Sequence, residues 1–231
     1  MTRRKRKSRG RIAAAILILG VIAGAGWFGY RHLDRVNQQV HDSGQQKIPV
    51  KISSERVDPA NEGLRVQLGG RLEAGANARD SELGISARAA LLSRKVEMYQ
   101  WREHCAGATC DYEPVWSSLP MDSHNFRQPH GHENPPMRLV DANFAGADLR
   151  LGAFTIDPAL VAAQVALVDH PVHAAELPPN LAASFAEVGG VLYAGGNSQP
   201  RVGEVRVSYR IAPLGNVVLT GVQRGSRLTA E

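Results

Sequence analysis

Apolar and polar side chains alternate at period two over residues 50–53, 64–72, 95–103 and 202–211, the mark of half-buried strands. Within 95–103, Val96, Met98 and Gln100 fall on one face, and Glu97, Tyr99 and Trp101 on the other. Within 202–211, Val205, Val207, Tyr209 and Ile211 oppose Glu204, Arg206, Ser208 and Arg210. The Asp58-Pro59 to Gly63 stretch supplies a turn before 64–72. Residues 112–117 return antiparallel to 95–103, and 217–222 close a final hairpin through Pro213-Leu214-Gly215-Asn216. Between these strands, Asp157 as N-cap and Pro158 at the first helical position open a helix running to Leu167. Residues 180–188 predict a second short helix, stopped by Gly189-Gly190, and a strand resumes at 191–193. Strands, helices and strands again predict an α+β domain, mainly antiparallel and β-rich, with two short helices.

One stretch has no polar period. Residues 12–30 are 19 uncharged residues, long enough as a helix to span roughly 28 Å, close to one hydrocarbon core. Seven basic residues (Arg3, Arg4, Lys5, Arg6, Lys7, Arg9 and Arg11) precede it without an acid, which keeps the N-terminus cytoplasmic and exports the chain beyond Tyr30. A cleaved signal peptide is the competing reading, since Ala23-Gly24-Ala25 ends an apolar core behind a basic segment. Trp27, Phe28 and Tyr30 favour a retained anchor, because aromatics suit the membrane interface. Gly20 and Gly24 lie four apart and let two such helices approach. The expected organisation is a basic cytoplasmic tail (1–11), a transmembrane helix (12–30), a polar juxtamembrane linker (31–47) and an extracytoplasmic domain (48–231).

Charge changes meaning once it is localised. The chain carries 27 Lys and Arg against 22 Asp and Glu, but the first 11 residues hold seven of the bases and no acid. The remainder is slightly acidic, so no phosphate footprint for nucleic acid is expected, and the tail meets anionic headgroups or only sets topology. Arg (22) far exceeds Lys (5) and Ala and Gly are abundant, a composition of GC-rich bacterial genes, so the expected location is a bacterial inner membrane with the domain periplasmic.

The strand at 95–103 contains Val96-Glu97-Met98-Tyr99-Gln100-Trp101, then Glu103. Around it, in order, lie Asn61-Glu62-Gly63, then Gly84 through Ala89, Leu92 and Arg94. Trp116, Phe126, Gly131-His132 and Asn134-Pro135 come next. Leu151-Gly152 with Phe154, the run from Pro200 to Tyr209, and Gln223-Arg224-Gly225 complete the series. This arrangement resembles the transmembrane protein 43 family, also called LUMA, over about residues 61–228. The resemblance implies an envelope membrane protein that self-associates and binds other membrane or envelope proteins, with no established catalytic residues and no cofactor to transfer. Val96, Glu97, Met98, Tyr99, Gln100, Trp101, Trp116, His132, Asn134 and Pro135 are then structural positions of the family motif. Family members continue toward further spans where this sequence stops at Glu231, so the resemblance implies a single-span variant or a truncated form.

Three groups are candidates for chemistry. His130, His132 and Glu133 offer imidazole and carboxylate at short spacing, with His170 or His173 as a further ligand, and suggest a metal-dependent envelope enzyme as the alternative function. No helical H-E-x-x-H accompanies them, and the surrounding prolines favour a turn whose His and Asn side chains satisfy backbone groups. Cys105 and Cys110 are expected to pair in an oxidising compartment; a redox pair and free thiols are the other readings. Glu97 beside Tyr99 and Trp101 is a candidate tuned acid, or meets a basic neighbour such as Arg94 or Arg206. Ser208 lacks a nucleophile-elbow setting, and Gly69-Gly70 and Gly189-Gly190 lack phosphate-loop patterns. The expectation is a non-enzymatic, membrane-anchored scaffolding protein.

Overall fold

The computed structural model describes residues 48–195 and 199–230. The first strands are β1 (Val50–Ser53), β2 (Arg65–Glu73), β3 (Ala78–Arg79), β4 (Ser86–Ala87), β5 (Ala89–Ala106) and β6 (Thr109–Ser117). Then come β7 (Ala142–Ala145), β8 (Arg150–Leu151), β9 (Phe154–Ile156), helix α1 (Pro158–Gln164) and β10 (Val168–His170). Helix α2 (Pro179–Ala182), β11 (Phe185–Val188), β12 (Val191–Ala194), β13 (Val205–Pro213), β14 (Gly215–Arg224) and β15 (Arg227–Thr229) complete the order. Strands dominate and two helices are short, and Val50–Glu231 forms one compact unit. Among the described residues, no helix is long and apolar enough to cross a membrane. The expected tail, transmembrane helix and linker, with Gly20 and Gly24, lie outside the described residues.

The smaller sheet runs β1-β2-β14-β15-β9-β8, and β8 returns to pair with β2, so five of its strands close on themselves. Closure removes exposed edges. Inside lie Val66, Leu68, Leu72, Leu151, Phe154, Leu219 and Leu228, all fully buried, with Leu160 and Val161 of α1 packed on them. Helix α1 starts as expected: Asp157 accepts from Ala159 N at 2.9 Å, and Pro158 fills the first helical position.

The larger sheet runs β11-β12-β13-β5-β6, with β10 on β13 and β7 on β5. Ala89, Ala90, Leu91 and Leu92 are all buried because β5 begins between two cores, Leu91 in one and Leu92 in the other. Farther along, the expected alternation holds: Val96, Met98 and Gln100 are buried while Glu97, Tyr99 and Trp101 are half-buried. The second core carries a charged centre. Arg94 donates to Asp80 at 2.7 Å and to Glu82 at 2.9 Å, and Tyr209 OH donates to the same Asp80 oxygen at 2.7 Å. The other Asp80 oxygen accepts from the backbone of Glu82 and Leu83. Burial pushes the Tyr209 hydroxyl pKa up and the Asp80 carboxylate pushes it further.

Three expectations from the pattern are corrected. Residues 185–188 are a strand rather than helix: β11 pairs with β12, and Gly189 (φ 61°) and Gly190 (φ 77°) make the tight turn of a hairpin, where both central residues need positive φ. Strands β13 and β14 form no hairpin, since β13 pairs with β5 and β14 with β2; residues 213–215 carry the chain from one sheet to the other. Arg94 does not meet Glu97, because it faces Asp80 on the opposite side of β5. Not every pairing is antiparallel: β1–β2 and β9–β15 run parallel.

Candidate functional site

The residues expected for the family motif gather on the β5–β6 hairpin and on the chain that crosses it between residues 118 and 141. Tyr99 lies opposite Trp116, Trp101 opposite Pro114, and Glu103 opposite Tyr112, all on the outward face of the larger sheet. Beyond Trp101 the hairpin projects past the core, so even the alternate side chains Arg102 and His104 are exposed. A disulfide closes its tip, joining the cross-strand pair Cys105 and Cys110.

Strand β13 leaves β5 just before Trp101. The last backbone bonds run from Tyr99 N to Glu204 O and from Gly203 N to Tyr99 O. Asn134 continues where the strand stops. Its Oδ1 accepts from Trp101 N at 2.7 Å, and its Nδ2 donates to Trp101 O at 2.9 Å and to Met121 O at 3.2 Å. A side-chain amide thus supplies the two bonds a neighbouring strand would give, because it carries a donor and an acceptor in peptide geometry. Pro135 packs alongside, so close to Gly203 that a Cβ there would lie 2.9 Å from the proline ring. Gln100 does similar work on the inner face, donating to Ser117 O and Leu119 O and accepting from Met121 N.

His132 sits in an aromatic slot. Its ring stacks on Tyr112 at 3.9 Å and meets Trp101 edge-on at 4.8 Å. Its Nδ1 lies 3.0 Å from Gln128 O, and since a carbonyl only accepts, that nitrogen donates. Glu103 accepts from Tyr112 OH and Arg127 N, both at 2.6 Å. The Tyr112 bond, then that of Arg127, holds the Glu103 carboxyl below the usual range, and the same bond raises the Tyr112 hydroxyl.

Among the described residues, His130, His132 and Glu133 form no cluster of three convergent ligands. His130 is fully exposed and lies 3.5 Å from an exposed Glu133 whose oxygen accepts from Gly131 N. His132 is held by Gln128 and the two aromatic rings, and His173 is 3.0 Å from Glu187. Among the described residues, the grouping of three candidate donors is Glu103 with Cys105 and Cys110, whose sulfurs are bonded to each other. A shallow recess of about 400 Å³ is lined by Lys95, His170, Ser208 and Arg210, and no hydrogen bond joins Ser208 to His170.

The rest of the outward face is aromatic and charged. Tyr99 and Trp116 rings lie 5.2 Å apart, Trp116 and Tyr193 6.1 Å apart, and the Arg206 guanidinium sits 4.8 Å above the Trp116 ring. Arg206 also donates to Glu97 at 2.8 Å, and Lys95 lies 3.4 Å from the same carboxylate. Burial pushes Glu97 up, but the bond and charge of Arg206 outweigh it and its pKa falls. An ion-paired carboxylate with a lowered pKa is a poor general acid at neutral pH.

The sequence profile described as Transmembrane protein 43 matches residues 98–230, over half of the chain. The chain belongs to that family. Transmembrane protein 43 of Rattus norvegicus is 30% identical over 199 residues, covering 74% of this chain and 48% of the rat protein. The Mus musculus protein is 29% identical over 203 residues, and the Drosophila melanogaster homolog 29% over 113 residues. The chain spans about half the length of the curated relatives that it matches most extensively. No solved structure matches it. Of the residues expected for the family motif, the matched span holds Met98 to Trp101, Trp116, His132, Asn134 and Pro135, while Val96 and Glu97 fall just before it. The sequence motif did not show that Gln100 and Asn134 are the two amides that fasten the 118–141 segment. An Asn-Pro within a proline-rich loop beside a strand was the available signal.

Proposed function

We propose that this protein is a membrane-anchored, non-catalytic envelope protein that self-associates through the outward face of its larger sheet. One observation carries the reading. Tyr99, Trp116, Tyr193 and Arg206 form a half-exposed row across four neighbouring strands, and Trp, Tyr and Arg are the side chains that dominate binding interfaces. The Arg206–Glu97 pair beside the aromatics lets a second copy of the same face meet it in a two-fold arrangement. Family membership and the uncharged run at 12–30 support the membrane anchor. The Cys105–Cys110 disulfide accords with an oxidising periplasm, with the N-terminus cytoplasmic and the anchor in a bacterial inner membrane. The family-motif residues act as the clasp that holds the projecting hairpin and sets the face in place.

The test is a photo-crosslinking amino acid at Tyr99 in the full chain, irradiated in native membranes. The expected product is a covalent dimer of the chain itself. A monomer only, or adducts to unrelated proteins alone, contradicts self-association through this face.

A further inference from the structure

Charge is distributed unevenly between the two sheets. Residues 48–231 contain 17 Lys and Arg and 20 Asp and Glu, so the domain is slightly acidic. The six strands of the smaller sheet nevertheless carry six bases (Lys51, Arg65, Arg71, Arg150, Arg224 and Arg227) and a single acid, Glu73. All six occupy strand positions on the outer face of the sheet, although Arg65 is half-buried and its Nε is covered. Their neighbours in sequence, Val66, Leu72, Leu151, Gln223 and Leu228, are buried in the closed core, and Ile52 packs against it.

The densest part spans four adjacent strands. Arg224 pairs with Arg227 across the β14–β15 hairpin, Arg65 faces Val222 two residues before Arg224, and Lys51 faces Gln67 on β2. Lys51, Arg224 and Arg227 are exposed. Glu73 lies at the far end, 3.6 Å from Arg71, and Glu62 borders the hairpin turn with its carboxylate accepting from Gly225 N. Like charges directly opposite on a sheet destabilise it, so Arg224 facing Arg227 is a costly arrangement without an anionic partner.

We infer that this basic exterior of the smaller sheet docks on the anionic phospholipid headgroups of the membrane that anchors the chain. The inference rests on the anchored reading above. Tyr30, the last residue of the uncharged run, lies 21 residues before Lys51. The 17 residues of 31–47 reach at most about 60 Å when fully extended, so the strand that carries Lys51 is tethered within reach of the headgroups. A phosphate-bearing surface complements a patch of bases spread over several strands better than any single ligand would. Each base held at such a surface multiplies the docked population by about five, and replacing three lowers it by about a hundred-fold.

The test uses the full chain with Ser226→Cys in the turn between Arg224 and Arg227, since the two native cysteines are bonded to each other and leave the new thiol to be labelled. A fluorophore there is read in nanodiscs of phosphatidylcholine alone and with about 30% phosphatidylglycerol, each containing a trace of headgroup spin-labelled lipid as quencher. Quenching should rise several-fold with phosphatidylglycerol, fall in about 0.5 M NaCl, and return to the phosphatidylcholine level in Lys51→Gln/Arg224→Gln/Arg227→Gln protein of unchanged melting temperature. Equal quenching in both lipids, or quenching indifferent to the triple variant, overturns the inference. Protection of the label by poly-glutamate or by oligothymidylate without any effect of phosphatidylglycerol also overturns it, in favour of an acidic protein or a nucleic acid. Release of the chain from membranes by alkaline carbonate is read separately, and would defeat the anchored reading whatever the label reports.

Discussion

Replacing Asn134 with Ala removes the amide that stands in for a strand beside Trp101. Three hydrogen bonds go with it: one from Trp101 N at 2.7 Å and two donated to Trp101 O and Met121 O. A typical net bond contributes about 1 kcal/mol, and a half-buried backbone N–H left without a partner adds to the loss where water does not reach it. The site is half-buried rather than sealed, so water recovers part of this. The expected destabilisation is about 2–3 kcal/mol. For a domain of this size that lowers the melting temperature by about 5–10 °C. Asn134→Asp separates the bonds: the carboxylate still accepts from Trp101 N, but it cannot donate and sets an oxygen against two carbonyls. It should cost at least as much at neutral pH and partly recover as the acid is protonated. The assay is thermal unfolding of the full chain in detergent, followed by tryptophan fluorescence. A melting temperature within about 2 °C of the parent for Asn134→Ala would refute the strand-substitute role.

Arg94→Met leaves Asp80 and its bond from Tyr209 buried without their cation, and should cost about 3–5 kcal/mol in chemical denaturation, far more than losing an exposed arginine. Above about pH 10 the unfolded chain ionises Tyr209 while the fold resists. Because the folded pKa is raised, this contribution is fully present below the unfolded value and lost as pH climbs through the folded one, so melting temperatures should decline there less in Tyr209→Phe than in the parent. Cys105→Ser/Cys110→Ser opens a short loop and should cost about 2 kcal/mol in the chain-entropy model, with self-association intact; loss of association in a folded protein would instead point to redox chemistry. His130→Ala, at a fully exposed side chain, should change neither stability nor association, and stoichiometric zinc or iron in the purified parent would speak against that.

Alternation along β5 and β13 was legible because period two with one buried face leaves a direct trace, and the N-cap of α1 was legible from Asp157-Pro158. The helix expected at 180–188 failed because its apolar positions are shared between a four-residue helix and an edge hairpin, and Gly-Gly ends a helix as readily as it turns a hairpin. The supposed β13–β14 hairpin failed for another reason: local turn residues do not tell which strand each neighbour pairs with, and both partners, β5 and β2, lie more than a hundred residues away in sequence. The Asp80–Arg94–Tyr209 centre was hidden for the same cause. Asp80 lies in a loop, and nothing near it in sequence signals a buried arginine. Of the site, the motif run and the cysteine pair stood out, whereas the role of Asn134 depends on where β13 ends, which no spacing encodes. Trp101 is half-buried under His132, so its loss should cost less than that of a core tryptophan.

Subunit counting in membranes tests the central claim most directly. The full chain carrying a single fluorophore is reconstituted at low density into vesicles, and photobleaching steps are counted per spot. Two or more steps are predicted for the parent, and single steps for Tyr193→Glu and for Trp116→Ala, each verified by its melting curve to be folded. Single steps in the parent, or unchanged multiple steps in both folded variants, would contradict self-association through the outward face of the larger sheet.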